Sequence, residues 1–329
     1  MRFDSGTGLR QDSELVESPS NAPPSRIDGL LVNPAAGGGR ALEVLPALRD
    51  FAKERSWGLQ ICVTADAEEL ARKAKLAASQ GYRRIFVLGG DGTFQALLNA
   101  LADYPQAILG ILPAGGGNDL AASLGLPNDP LRAATLLFEG GEPCQLDAVQ
   151  VRTADGCQRL YSGGGGVGLD AEAARYANGA YRHLRGRLRY LLAAVRALCG
   201  FHSIRVRMRI EPGEADDLEF TALLVGVLNT PSYGSGLYLA PQARTDDGAL
   251  DVVVLQDLGI IEIVRLLATL WSKGELKSER VLRFSARRVR IETENPCSFH
   301  GDGEILGQTP VEISVVPRAF WVLRAPGKR

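Results

Sequence analysis

The sequence predicts an open α/β sheet followed by a β-rich, sandwich-like second domain. Three observations carry this. The chain has 329 residues, more than one hydrophobic core usually organises, so about two domains are expected. Over residues 26–145 short apolar runs alternate with helical patterns, which implies a parallel sheet covered by helices. From residue 146 onward strand-like runs and turn signals dominate, which predicts antiparallel pairing through residue 326.

In order, Ile27–Val32 reads as a strand, followed by a glycine turn and a helix over Ala41–Lys53. Leu59–Val63 is a second strand and Ala67–Gln80 an Ala/Lys/Glu-rich helix. Arg84–Leu88 and Ala107–Leu112 are further strands, with a helix over Phe94–Ala102 between them. In the second half the strands are Leu146–Val151, Arg205–Ile210, Glu219–Leu228, Leu250–Leu255, Val289–Glu292 and Val311–Val316, the last of which may return to the first domain. Helical stretches interrupt near 180–199 and 258–272. Residues 1–25 are polar and rich in Ser and Pro, so a disordered tail is expected there.

Composition excludes several classes. A net charge of −1 gives no global pull toward nucleic acid or anionic membrane. Five cysteines without CxxC spacing form no zinc or redox site and predict reduced thiols in the cytoplasm. The apolar stretch from Leu258 is broken by Glu262 and Arg265, so a membrane would be met at its surface. His183, His202 and His300 form no ligand set in sequence and read as surface or core residues.

Three glycine-rich turns fall at the carboxyl ends of predicted strands: Asn33–Gly39, Gly89–Thr93 and Pro113–Asp119. That edge of an open α/β sheet is where ligands bind. Glycine lets the backbone approach a ligand, and the following helix offers unpaired N–H groups that suit phosphate. Asp91 and Asp119 inside two of these turns would repel bare phosphate, but they suit a nucleotide carrying Mg²⁺. No GxxxxGK[ST] and no protein-kinase signature set is present.

NPAAGGG, GGDGT and PAGGGND, in that order, resemble the diacylglycerol kinase catalytic-domain family, most closely its bacterial soluble lipid kinases, which are related to sphingosine and ceramide kinases. Gly165–Ala171, Val227–Asn229, Leu239–Pro241 and Asp302-Gly303-Glu304 extend the likeness over residues 26–326. The resemblance implies an ATP- and Mg²⁺-dependent kinase acting on the hydroxyl of a membrane lipid such as diacylglycerol. ATP would lie in the cleft between the domains. It implies a nucleotide site of Asn33, Thr64, Gly89, Gly90, Asp91, Gly92, Thr93, Gly116, Asn118 and Asp119, with Asp91, Asp119 and Asp147 near the metal and phosphates. It assigns the general base to Asp302 or Glu304, and a structural Mg²⁺ to Asp247 with the carbonyls of Arg244 and Ala249. This chain departs from the family at Gly116, usually Thr, and at Gln95-Ala96, usually Asn-Glu.

The residues themselves leave other readings open. Asp302-Gly303 is also a hairpin turn signal. Gly163, Gly165 and Gly168 satisfy GxGxxG, but the region where a dinucleotide site needs an acid is arginine-rich. GGDGT is shared with NAD kinases, so a soluble acceptor is an alternative, as is a non-catalytic lipid-binding protein. Between Arg175 and Arg209 stand nine arginines and no acid, and Tyr181–Leu198 has helical apolar spacing. A basic amphipathic helix suits peripheral contact with an anionic membrane. No nucleic-acid module accompanies it, so a nucleic-acid partner is not expected.

Overall fold

A computed structural model describes residues 28–328, apart from 182–183, 185, 201, 213–216, 260–261, 264, 267–268 and 270–277. The expected N-terminal tail lies outside the described residues, as does Ile27.

The first part alternates strand and helix. It comprises β1 (Asp28–Val32), α1 (Arg40–Glu54), β2 (Leu59–Val63), α2 (Ala67–Ser79), β3 (Arg84–Gly89), α3 (Asp91–Ala100), β4 (Ile108–Pro113), α4 (Asp119–Ser123) and α5 (Pro130–Gly140). These strands run parallel in the order β4-β3-β1-β2. β1, β3 and β4 are apolar and almost wholly buried, as a sheet covered on both faces requires. Asp66 caps α2 by accepting from Glu69 N at 2.8 Å, and Asp129 caps α5 by accepting from Arg132 N at 2.9 Å. α3 begins three residues earlier than its apolar spacing suggests, because Asp91-Gly92-Thr93 forms its first turn rather than a loop.

The second part is antiparallel. Its strands are β5 (Glu142–Thr153), β6 (Gln158–Tyr161), β7 (Gly164–Gly168), β8 (Ile204–Glu211), β9 (Leu218–Leu228), β10 (Leu250–Gln256), β11 (Val281–Ala286), β12 (Arg288–Thr293), β13 (Ser298–Gly301), β14 (Glu304–Gln308) and β15 (Val311–Arg324). Two helices, α6 (Leu169–Asn178) and α7 (Gly186–Leu198), interrupt them. The 258–272 helical stretch lies largely outside the described residues.

β15 joins the two parts. Val311–Val316 and Phe320–Arg324 pair antiparallel with β5, while Trp321 and Val322 pair parallel with Ile108 and Leu109 of β4. Between these runs Arg318 turns to φ 50° and the register shifts. One core fills the first part, around Phe86, Phe94, Leu97 and Ile111. A second fills the sandwich around Tyr161, Met208 and Phe299, and a third lies beneath α6 and α7.

The run Gly163–Gly168, formally GxGxxG, is not a phosphate loop. Gly164–Gly168 is a fully buried strand, antiparallel to both β9 and β13.

Candidate active site

The three glycine turns converge at the carboxyl edge of the parallel strands. Two of them pack glycine against glycine: a Cβ on Gly115 would lie 2.4 Å from Gly90 Cα. Gly89 gives way to Thr93, whose side chain would sit 2.5 Å from a Cβ there. Asn33 Nδ2 donates to Thr93 Oγ1 at 2.9 Å, tying the first turn to the second. Thr64 is buried and donates through Oγ1 to Val32 O at 3.2 Å. Asn118 adopts φ 61° and closes the third turn by accepting from Gly115 N at 2.9 Å.

Asp91 stands in the first turn of α3, and its carboxylate accepts from Asp119 N at 3.2 Å and Leu120 N at 3.1 Å. Burial, then the nearby Asp119 and Asp302 carboxylates, push its pKa up to about 7.

Asp302 reaches the same place from the second domain. It opens the β13–β14 turn at φ 50°, with Gly303 at φ 85°. Its carboxylate accepts from Ser162 N at 2.9 Å, Ser162 Oγ at 3.1 Å and Gly163 N at 2.9 Å. Burial pushes it up to about 6, and these donors oppose the rise. The turn is braced twice more: Gln95 Nε2 donates to Gly301 O at 3.1 Å and Asn178 Nδ2 to Gly303 O at 2.7 Å. Glu304 leans on the second glycine turn, its Oε1 3.0 Å from where a Cβ on Gly92 would be. Desolvation raises its carboxyl and Arg189 opposes that.

Two cavities meet at these aspartates. One is a polar cleft of about 590 Å³, lined by the glycine turns, Asn33, Thr64, Glu304, Arg159 and Arg189. The other is a narrow apolar pocket of about 130 Å³, walled by residues such as Leu169, Leu198, Leu223, Leu239 and Ile263. Asp91, Gly117, Asp302 and Gly303 line both.

Other expected acids sit differently. Asp147 does not line the cleft. Its Oδ2 accepts from Gly248 N and its Oδ1 from Arg318 N, both at 2.7 Å, so it anchors the 244–249 loop and the kink of β15. Asp119, 7% exposed, is gripped by the second domain: Oδ1 accepts from Ser232 Oγ at 2.8 Å and Gly236 N at 2.9 Å, and Oδ2 from Ser235 N at 2.9 Å. That makes it an interdomain latch. Gly116 O accepts from Ser235 Oγ at 3.1 Å, so the missing threonine position also serves the contact between domains. In the 244–249 loop Arg244 pairs with Asp246 at 3.3 Å, and Asp247 Oδ1 accepts from Ala249 N at 3.1 Å. Burial and Asp247 push Asp251 up to about 6. Among the described residues no group of three or more His, Cys, Asp or Glu is arranged to hold a metal.

The arginine-rich run divides. Arg205, Arg207 and Arg209 on β8 pair with Glu294, Glu219 and Asp217. Arg175 pairs with Glu172, and Arg196 lies 5.1 Å over the Tyr176 ring. Arg189 Nη2 donates to Asn178 Oδ1 at 2.6 Å. α7 exposes Leu188 (53%), Leu192 (36%) and Val195 (46%) on one face. Among the described residues no helix is long and apolar enough to cross a membrane.

Sequence reasoning missed Ser162, Asn178 and Arg159, and gave Gln95 and Arg189 no role in the cleft. Ser162 carried a signal in its place beside the glycine run, Gln95 in its departure from the family pattern and Arg189 in the arginine-rich run.

Residues 29–151 match the model of the diacylglycerol kinase catalytic domain, and residues 165–324 that of the YegS C-terminal NAD kinase beta sandwich-like domain. A diacylglycerol kinase of Mycobacterium tuberculosis is 30% identical over 296 residues, 89% of this chain and 94% of that protein. One from Staphylococcus carnosus is 26% identical over 283 residues, 85% and 89% of the two chains. The crystal structure of a diacylglycerol kinase from Bacillus anthracis shares the fold with a TM-score of 0.70 at 23% identity, over 92% of this chain and 98% of that one.

Proposed function

The chain belongs to the diacylglycerol kinase family, lipid kinases with a hydroxyl acceptor, and from that premise we propose that it transfers a phosphoryl group from ATP to a membrane lipid of the diacylglycerol class. One observation carries the reading: a polar cleft and an apolar pocket share Asp91 and Asp302 as their common wall. A hydrophilic donor and a lipid acceptor need two such spaces with one meeting point. A soluble dinucleotide acceptor would have no use for the leucine-lined pocket.

The residues fit a Mg²⁺-nucleotide. A Cβ at Gly89 would collide with the Thr93 side chain, and one at Gly90 or Gly115 with the facing turn, so bare glycine lets the turns close on one another around the cleft. Burial first, and then the carboxylates of Asp119 and Asp302, penalise the charged form of Asp91, a burden a divalent cation would relieve. Mg²⁺ needs only one or two carboxylates beside phosphates and water, so the lack of a larger acid cluster among the described residues does not count against it. Bound there, Mg²⁺-ATP supplies the phosphoryl group and the charge that screens it.

The turns Asn33–Gly39, Gly89–Thr93 and Pro113–Asn118 offer N–H groups to the phosphates, with Thr93 and Asn33 beside them. Arg159 and Arg189 face that cleft and would balance its negative charge. Asp302 lines both cavities and Glu304 only the cleft, which favours Asp302 Oδ as acceptor of the lipid hydroxyl proton. The donors from Ser162 and Gly163 aim that carboxylate. The leucine face of α7, with Arg196 alongside, would rest on the membrane surface.

The test is radiolabelled phosphate transfer from ATP to a lipid extract, with the product identified by mass. Asp302→Asn should lower kcat by about 10²-fold or more, as loss of a general base does, with melting retained. Full turnover in that variant would remove Asp302 from the chemistry.

A further inference from the structure

The apolar pocket contains a polar group that neither proton transfer nor nucleotide binding uses. His300 Nε2 lies 3.2 Å from Asp170 Oδ2, both side chains almost fully buried. The Tyr233 ring stacks on the imidazole at 6.1 Å, and its hydroxyl sits 3.5 Å from the same Asp170 oxygen. All three line the pocket. The Asp170 contact does not meet hydrogen-bond geometry, and among the described residues neither imidazole nitrogen has a hydrogen-bond partner. A buried polar group left so is costly, and in a folded protein it calls for an explanation.

The strand beneath is cut to fit this group. A Cβ on Gly166 would stand 2.5 Å from Asp170 Oδ2, one on Gly164 2.8 Å from Tyr233 Cβ, and one on Gly163 2.8 Å from Asp302 Oδ1. None of these three glycines has a left-handed backbone, so space rather than conformation requires them. A buried strand that gives up side chains at Gly164 and Gly166, and at Gly163 just before it, loses packing and strand propensity. What it gains is a seat for Asp170, Tyr233 and Asp302 on bare backbone. His300 precedes Asp302 by two residues and lines the same pocket, beside the place where the hydroxyl must react.

We infer that His300, oriented by Asp170 and Tyr233, is a specificity-determining residue that hydrogen-bonds a second oxygen of the lipid close to its reacting hydroxyl. The inference rests on the kinase reading above. The acceptor class it selects is a lipid alcohol bearing an adjacent ester or hydroxyl oxygen, as in an acylglycerol, over a simple long-chain alcohol. A site built to bond a polar group discriminates strongly against an analogue lacking it.

The experiment compares kcat/KM for dioctanoylglycerol and for oleyl alcohol in mixed micelles, in the full chain and in His300→Phe and His300→Gln. The wild-type protein should favour dioctanoylglycerol by at least about tenfold, the worth of roughly 1.4 kcal/mol of hydrogen bonding. His300→Phe should remove that preference by lowering only the dioctanoylglycerol value, and His300→Gln, which keeps a donor and an acceptor, should restore part of it. Equal losses on both lipids, in either variant, would make His300 a packing residue and overturn the inference. So would a wild-type preference near one, or a preference unchanged by His300→Phe. Transfer to neither lipid nor to any lipid in an extract would overturn the kinase reading, and this inference with it.

Discussion

Replacing Asp119 with Asn probes the joint between the domains. The aspartate collects three donors from residues 232–236, two of them backbone N–H groups. Asparagine keeps one oxygen, enough for Ser232 Oγ and Gly236 N. Its amide N–H₂ would then face Ser235 N, donor against donor. One charge-assisted bond is lost and one buried N–H is orphaned, together about 3 kcal/mol. Removing a buried negative charge beside Asp91 returns about 1 kcal/mol, leaving roughly 2 kcal/mol of net loss. For a chain of this size that lowers the melting midpoint by about 3 °C. A second consequence follows from the charge itself. Asp119 is among the causes that raise the Asp91 carboxyl, so the acid limb of kcat/KM should move to lower pH. Differential scanning calorimetry checks the first effect and a pH series of initial rates the second. A midpoint unchanged within about 1 °C would refute the latch.

In the proposed mechanism Asp91 and Asp302, raised to about 7 and about 6, lose their protons before one holds metal and the other accepts a proton, so kcat/KM should climb from about pH 5 to pH 8 as a single composite limb. Their folded pKa values exceed the ordinary aspartate value of about 3.9, so the stability they contribute is full below about pH 4 and is lost as pH rises through 6 and 7; the melting midpoint of the nucleotide-free protein should therefore carry a downward contribution over the range where activity rises, visible as a smaller fall in Asp302→Asn. Gly115→Ala forces a Cβ to within 2.4 Å of Gly90 Cα and 2.8 Å of Asn118 Oδ1. It should cost about 1–3 kcal/mol of stability and raise the KM for ATP, while Gly200→Ala, with open space around its Cβ, should change neither in a melting and kinetic comparison.

The parallel strands could be read closely from the sequence, because a sheet covered on both faces writes its strands as unbroken apolar runs. Ile85–Leu88 of β3, an apolar run with no exposed residue, is the clearest case. The glycine turns were legible for a related reason: few other residues permit such loops to touch, as Gly90 and Gly115 do. The sandwich was less legible. β7 is nearly all glycine and carries no strand propensity; only the side chains lying over it explain it, and those come from distant positions. β15 continues past Val316 through Pro317 and Arg318, which read as a stop, and Asp147 fastens that kink. Acid residues were visible as acids, but their partners were not. Asp91, Asp119 and Asp147 look alike in sequence, yet one is a wall of the cleft, one a latch and one a loop anchor. Braces such as Gln95 and Asn178 span more than 100 positions, and no local pattern reports such a pairing.

The β15–β4 pairing bears on how the chain comes into being. Ile108 and Leu109 leave the ribosome some two hundred residues before Trp321 and Val322, the partners that cover their free side. At a synthesis rate of about 5–20 residues per second, β4 waits on the order of ten seconds or more as an apolar rim open to any passing strand. The α/β half is thus sealed by a strand made some two hundred residues later, and its folding is bound in time to that of the antiparallel half.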